Sequence, residues 1–97
     1  KYRMKQFVRV LCDIECTWAD SSPVYRIYVD DELFAERTWK WTNEYLEEML
    51  QIDAAPGEYI ISFDLVNAPT ATLRISNMRV DYGNGIILKD NMLRITK

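Results

Sequence analysis

The 97-residue chain has no histidine, two cysteines, three glycines and three prolines. The missing histidine removes the usual general base. With no histidine and no further cysteine, the two cysteines are unsupported as zinc ligands. The serines at Ser21, Ser22, Ser62 and Ser76 lie in no nucleophile motif. Gly83-Asn84-Gly85 lacks the strand-to-helix setting of a phosphate loop. Catalysis is therefore not expected. Basic runs are also absent and the formal net charge is −3, which excludes a phosphate-backbone binder on electrostatic grounds. No apolar run approaches the roughly 20 residues that a spanning helix needs, so no membrane segment is expected. No signal peptide is visible.

A strict two-residue alternation is what the chain does have. Val8, Val10, Cys12, Ile14, Cys16 and Trp18 share one side, and Arg9, Asp13, Glu15 and Thr17 the other. Successive side chains of a strand point to opposite faces, so this pattern predicts a half-buried strand over 7–18. On such a strand Cys12 and Cys16 sit about 13 Å apart at ~3.3 Å per residue. A disulfide needs less than about 7 Å. The two cysteines are expected as reduced thiols in the core, which points to a cytoplasmic or virion setting.

Turn signals divide the rest. The cluster 19–23 ends the first strand. Residues 24–29 read as a second strand, Asp30-Asp31 as a hairpin turn, and 33–38 as the return. Residues 44–52 are ambiguous. Thr42-Asn43 could cap a helix, and Tyr45, Leu46, Met49 and Leu50 fit a helical stripe. Leu46, Leu50 and Ile52 also share one strand face, interrupted by Glu48. The turn Ala54-Ala55-Pro56-Gly57 and the plain strand 58–63 that follows decide for a strand, in a meander around Pro-Gly. Two short strands at 71–75 and 78–82 are expected around a bend or bulge at Ser76-Asn77. Strands at 86–88 and 92–95 flank a turn at Asp90-Asn91. Turns recurring about every ten residues predict one all-β domain over 1–97, a two-sheet antiparallel sandwich of about eight strands.

Two constellations are candidate sites. Trp39 and Trp41 are two apart, so on an extended segment both indoles face one way. With Tyr45 they could form a stacking platform for sugar rings or a protein contact patch. The competing reading places one or both tryptophans in the core. The acids Asp30, Asp31 and Glu32 could bind calcium, joined by Asp20, Asp53 or Asp64. The competing reading is a solvated hairpin tip, since the spacing is not that of an EF-hand. Glu44, Glu47 and Glu48 read as a wet face.

Residues 24–33 (Val-Tyr-Arg-Ile-Tyr-Val-Asp-Asp-Glu-Leu) resemble the opening hairpin of jelly-roll carbohydrate-binding modules. Residues 56–63 (Pro-Gly-Glu-Tyr-Ile-Ile-Ser-Phe) are similar to their recurrent Gly-x-His/Tyr-x-Ile-x-Phe strand, and 75–80 to the strand that follows. The nearest parallel is the small calcium-dependent xylan-binding type. The same flavour of sequence occurs in small proteins of tailed bacteriophages. The resemblance spans about half the chain and implies a jelly-roll-like sandwich. Of the acidic metal ligands of the xylan-binding type, only Asp30, Asp31 and Glu32 lie at a comparable hairpin. The expected function is a non-catalytic structural or interaction module, with a protein partner or self-association. The alternative is a carbohydrate-binding module with Trp39, Trp41 and Tyr45 as platform and Asp30, Asp31 and Glu32 as a calcium or hydroxyl-binding edge.

Overall fold

The computed structural model describes residues 5–19, 22–40, 44–66 and 70–96. Eight strands follow one another: β1 (Gln6–Thr17), β2 (Val24–Val29), β3 (Glu32–Thr38), β4 (Tyr45–Ala54), β5 (Gly57–Val66), β6 (Thr72–Tyr82), β7 (Gly85–Leu88) and β8 (Met92–Ile95). They form an antiparallel sandwich of two sheets, a three-stranded one in the order β4-β1-β6 and a five-stranded one in the order β3-β2-β5-β8-β7. No helix among the described residues is long and apolar enough to cross a membrane.

The alternation in β1 builds the centre of the core. Val8, Val10, Cys12, Ile14 and Cys16 are fully buried, and they face Tyr25, Ile27, Ile61, Leu93 and Ile95 of the other sheet. Both cysteines are free and buried. Trp18 departs from the expectation and is 37 % exposed. β1 ends at Thr17, so the side-chain alternation lapses one residue before it.

Residues 45–54 are a strand, with Leu50 and Ile52 buried. The helical stripe loses because Leu46, Glu48, Leu50 and Ile52 all face the second sheet when the segment pairs with β1 from Glu15↔Tyr45 to Gln6↔Ala54. The expected meander around Pro-Gly does not form. β4 pairs with β1, whereas β5 pairs with β2 and β8, so the turn at Ala55-Pro56 carries the chain between sheets.

The two short strands expected over 71–82 are one strand, β6. Its pairing with β1 shifts between Leu11 and Asp13, where Asn77 adopts a φ of 53°, and again between Arg9 and Val10. These are bulges within a continuous strand. The hairpin at Asp30-Asp31 forms as expected, with Asp30 at a φ of 56°, a conformation that aspartate tolerates better than most residues. Gly83 links β6 to β7 at a φ of 96°, and a Cβ there would lie 2.3 Å from the Phe7 carbonyl oxygen. Only glycine lets the chain pass so close to the start of β1.

Candidate functional site

Of the expected Trp39–Trp41–Tyr45 platform, Trp39 is withdrawn into the core. Trp39 has no exposed surface. Its backbone N–H donates to the Pro23 carbonyl at 2.9 Å, and its ring lies 6.3 Å from that of Tyr25. It closes the end of the sandwich where the chain crosses from β3 to β4, and the large apolar indole is worth more there than in water. Trp41 lies outside the described residues. Tyr45 is exposed on the outer face of β4, and its hydroxyl donates to Asp13 Oδ1 at 2.9 Å.

The acidic hairpin tip lines an open concavity of about 480 Å³ at the end of the sandwich, bordered also by Phe34, Ile52, Asp53 and Tyr59. Asp53 lines the same concavity as Asp30, Asp31 and Glu32. Asp30 is committed to the fold. Its Oδ1 accepts the Ile60 N–H at 2.8 Å, and its own N–H donates to the Ile60 carbonyl at 2.7 Å, which extends the β2–β5 ladder into the turn. Tyr59 donates its hydroxyl to the Ala55 carbonyl at 2.5 Å, bracing the β4–β5 turn. Among the described residues, no group of three His, Cys, Asp or Glu side chains is placed to hold a metal ion.

The outer face of the three-stranded sheet also exposes apolar side chains. The register of β1 with β4 and β6 lays out rows across it: Phe7 beside Asp53, Arg9 between Gln51 and Tyr82, Leu11 between Met49 and Arg79, and Asp13 beside Glu47. Phe7 (43 %), Met49 (45 %) and Tyr82 (59 %) are open to solvent. The Phe7 and Tyr82 ring centroids are 5.8 Å apart, and the Arg9 guanidinium carbon sits 5.7 Å from the Tyr82 centroid while bonding Asp81 at 2.7 Å.

A polar network fixes the other end of this face. Asp13 accepts from Tyr45 and from Asn77 Nδ2 (3.1 Å), and Arg79 pairs with both Asp13 and Glu47. The Tyr45 hydroxyl, the Asn77 amide and the Arg79 charge hold the Asp13 carboxyl below its ordinary value. The same hydrogen bond to a carboxylate pushes Tyr45 up.

Glu48 departs from the wet face that the sequence predicts for it with Glu44 and Glu47. Those two are exposed, but Glu48 faces inward at 8 % exposure. It accepts the Tyr25 hydroxyl at 2.7 Å and pairs with Arg37 at 3.1 Å, so one side chain from each of β2, β3 and β4 meets across the sheets. Burial, and then the bond to Glu48, raise the Tyr25 pKa. The Cys12 thiol, opposite Glu48 in the ladder, is pushed up to about 12 by burial and by that carboxylate.

Comparison with known proteins adds no relative. No protein-family model, curated protein or solved structure matches this chain.

Sequence reasoning did not find the Phe7–Tyr82 pair. Phe7 lies at an odd position, on the wet side of the β1 alternation together with Leu11, and that misplacement is a legible signal. Tyr82 carries none, because only the pairing of β1 with β6 brings it there.

Proposed function

We propose that this domain is a non-catalytic structural or interaction module that works through the outer face of its three-stranded sheet. The observation that carries the reading is the apolar surface formed by Phe7, Leu11, Met49 and Tyr82 beside a fixed network of charges. Exposed aromatic and methionine side chains rimmed by polar groups are the composition of contact surfaces. The absence of histidine and of any nucleophile motif supports the non-catalytic part. The likeness of residues 24–33 and 56–63 to jelly-roll carbohydrate-binding modules belongs instead to the alternative reading.

A carbohydrate-binding reading is favoured by a different feature, the concavity in which Phe34 and Tyr59 stand beside Asp31, Glu32 and Asp53. Apolar rings next to hydroxyl-binding carboxylates suit a sugar, with or without calcium.

A photo-crosslinking residue tests the two surfaces against each other in the native cell. Placed at Tyr82, it is expected to capture protein. Placed at Asp31, it is expected to capture none. Saturable binding of a soluble polysaccharide, lost on Phe34→Ala or Tyr59→Ala, would replace the contact reading with the carbohydrate one. Loss of that binding in EDTA would add calcium.

A further inference from the structure

We propose that the concavity beside the β2–β3 hairpin binds a small aliphatic polyamine, a molecule of two or more ammonium groups joined by methylene chains. The proposal is independent of the contact reading, since none of Phe7, Leu11, Met49 and Tyr82 lines the concavity.

Uncompensated negative charge collects here. Among the described residues every arginine is paired with a carboxylate, from Arg9 with Asp81 to Arg94 with Glu58. Asp31, Glu32 and Asp53 are exposed and enter none of these pairs. Carboxylates gathered round one hollow without cations of their own attract a cation from solution.

The hollow also offers what a bare ion cannot use. Phe34, Ile52 and Tyr59 share its lining with the acids, and Phe34 is 36 % exposed. Methylene chains lie favourably on apolar surface while their charged ends stay with water and carboxylates. The face of an aromatic ring attracts an ammonium group. A volume of about 480 Å³ is that of a small-molecule site.

The placement of the acids selects a ligand with separated charges. No three of them are placed to hold a metal ion among the described residues. Asp30 gives its Oδ1 to the Ile60 N–H and stays with the fold. A ligand that meets several of the remaining carboxylates must therefore carry its charge at several points, with an apolar link between them. Both walls are fixed beforehand. The Asp30–Ile60 bonds hold the hairpin that carries Asp31 and Glu32, and the bond from Tyr59 to the Ala55 carbonyl holds the turn that follows Asp53. Such preorganisation lowers the entropic cost of binding.

Amide NMR titration of the chain with spermidine, read against magnesium chloride at matched ionic strength, tests the proposal. Saturable shifts at Asp31, Phe34, Asp53 and Tyr59, absent with magnesium, are expected. Asp53→Asn and Glu32→Gln are each expected to weaken binding about two- to fivefold, the weight of one solvated ion pair. Phe34→Ala is expected to weaken it with no change of charge. Asp64→Asn removes the same charge from outside the concavity and is expected to leave binding unchanged. Shifts that rise without saturation and are matched by magnesium overturn the proposal, because they report counter-ions on an acidic surface. A loss on Asp64→Asn equal to that on Asp53→Asn overturns it too. Saturable binding of a neutral glycan by the same residues, with no response to spermidine, overturns it in favour of the carbohydrate reading. The Tyr82 crosslinker tests the contact reading whichever result is obtained.

Discussion

The Tyr25 hydroxyl donates a 2.7 Å hydrogen bond to Glu48 Oε1 across the interior of the sandwich, and Arg37 closes on the same carboxylate from the neighbouring strand. A buried carboxylate is tolerated only when its charge and lone pairs are met. Removing Glu48 strands a buried phenol and a partly buried guanidinium. Glu48→Ala is expected to cost about 2–4 kcal/mol, and Tyr25→Phe about 1–2 kcal/mol. The double variant Tyr25→Phe/Glu48→Leu, which replaces both partners by apolar groups, is expected to cost less than the two single changes together. Urea unfolding of the set measures this. Additive losses would show that the bond contributes no coupling.

Asp13 predicts an acid limb. Its folded pKa is depressed, chiefly by the Tyr45 hydroxyl and then by Asn77 and Arg79. A depressed carboxyl contributes stability that is fully present above its unfolded value of about 3.9 and is lost as pH falls through the folded value. Asp13→Asn should therefore flatten the loss of stability below about pH 4 relative to the wild-type chain, with little change in shape above it. Urea midpoints between neutral and strongly acidic pH are the measurement, and parallel curves for the two proteins would contradict the assignment.

Both thiols should be silent in the folded protein. Cys12 and Cys16 are buried, and burial raises both above the ordinary thiol value, Cys12 to about 12. The thiolate is the reactive form. A thiol reagent at mildly alkaline pH is expected to modify neither cysteine in buffer and both in denaturant. Rapid modification in buffer would place them at the surface.

Gly83 should resist substitution. Gly83→Ala puts a methyl group against the Phe7 carbonyl in a backbone region that L residues avoid. A loss of about 1–3 kcal/mol is expected by thermal or urea unfolding. A neutral result would mean that the link between β6 and β7 moves freely away from β1.

The fold was legible where one periodicity governed a whole strand. The buried side of residues 8–16 is apolar at every second position, and the turn at 54–57 with the plain strand after it favours a strand over 44–52. Pairing was less legible. Pro56-Gly57 has the chemistry of a hairpin, yet the chain uses the turn to change sheets, a choice made by which partners β4 and β5 find in space. The site residues divide the same way. Trp39 carries the same local signal as an exposed indole, and only its place at the end of the sandwich decides for the core. Glu48 looks solvated because charge normally is. Its partners, Tyr25 and Arg37, are 23 and 11 residues away in sequence. Tyr82 meets Phe7 through strand register alone.

Amide NMR spectra of the chain, recorded from micromolar to millimolar concentration and then against soluble glycans, test most directly whether contacts are made on the three-stranded sheet. Concentration-dependent shifts on that sheet, with no glycan response, are the predicted result. A spectrum unchanged on that sheet at every concentration, with glycan-induced shifts at Asp31, Phe34 and Tyr59, would contradict it.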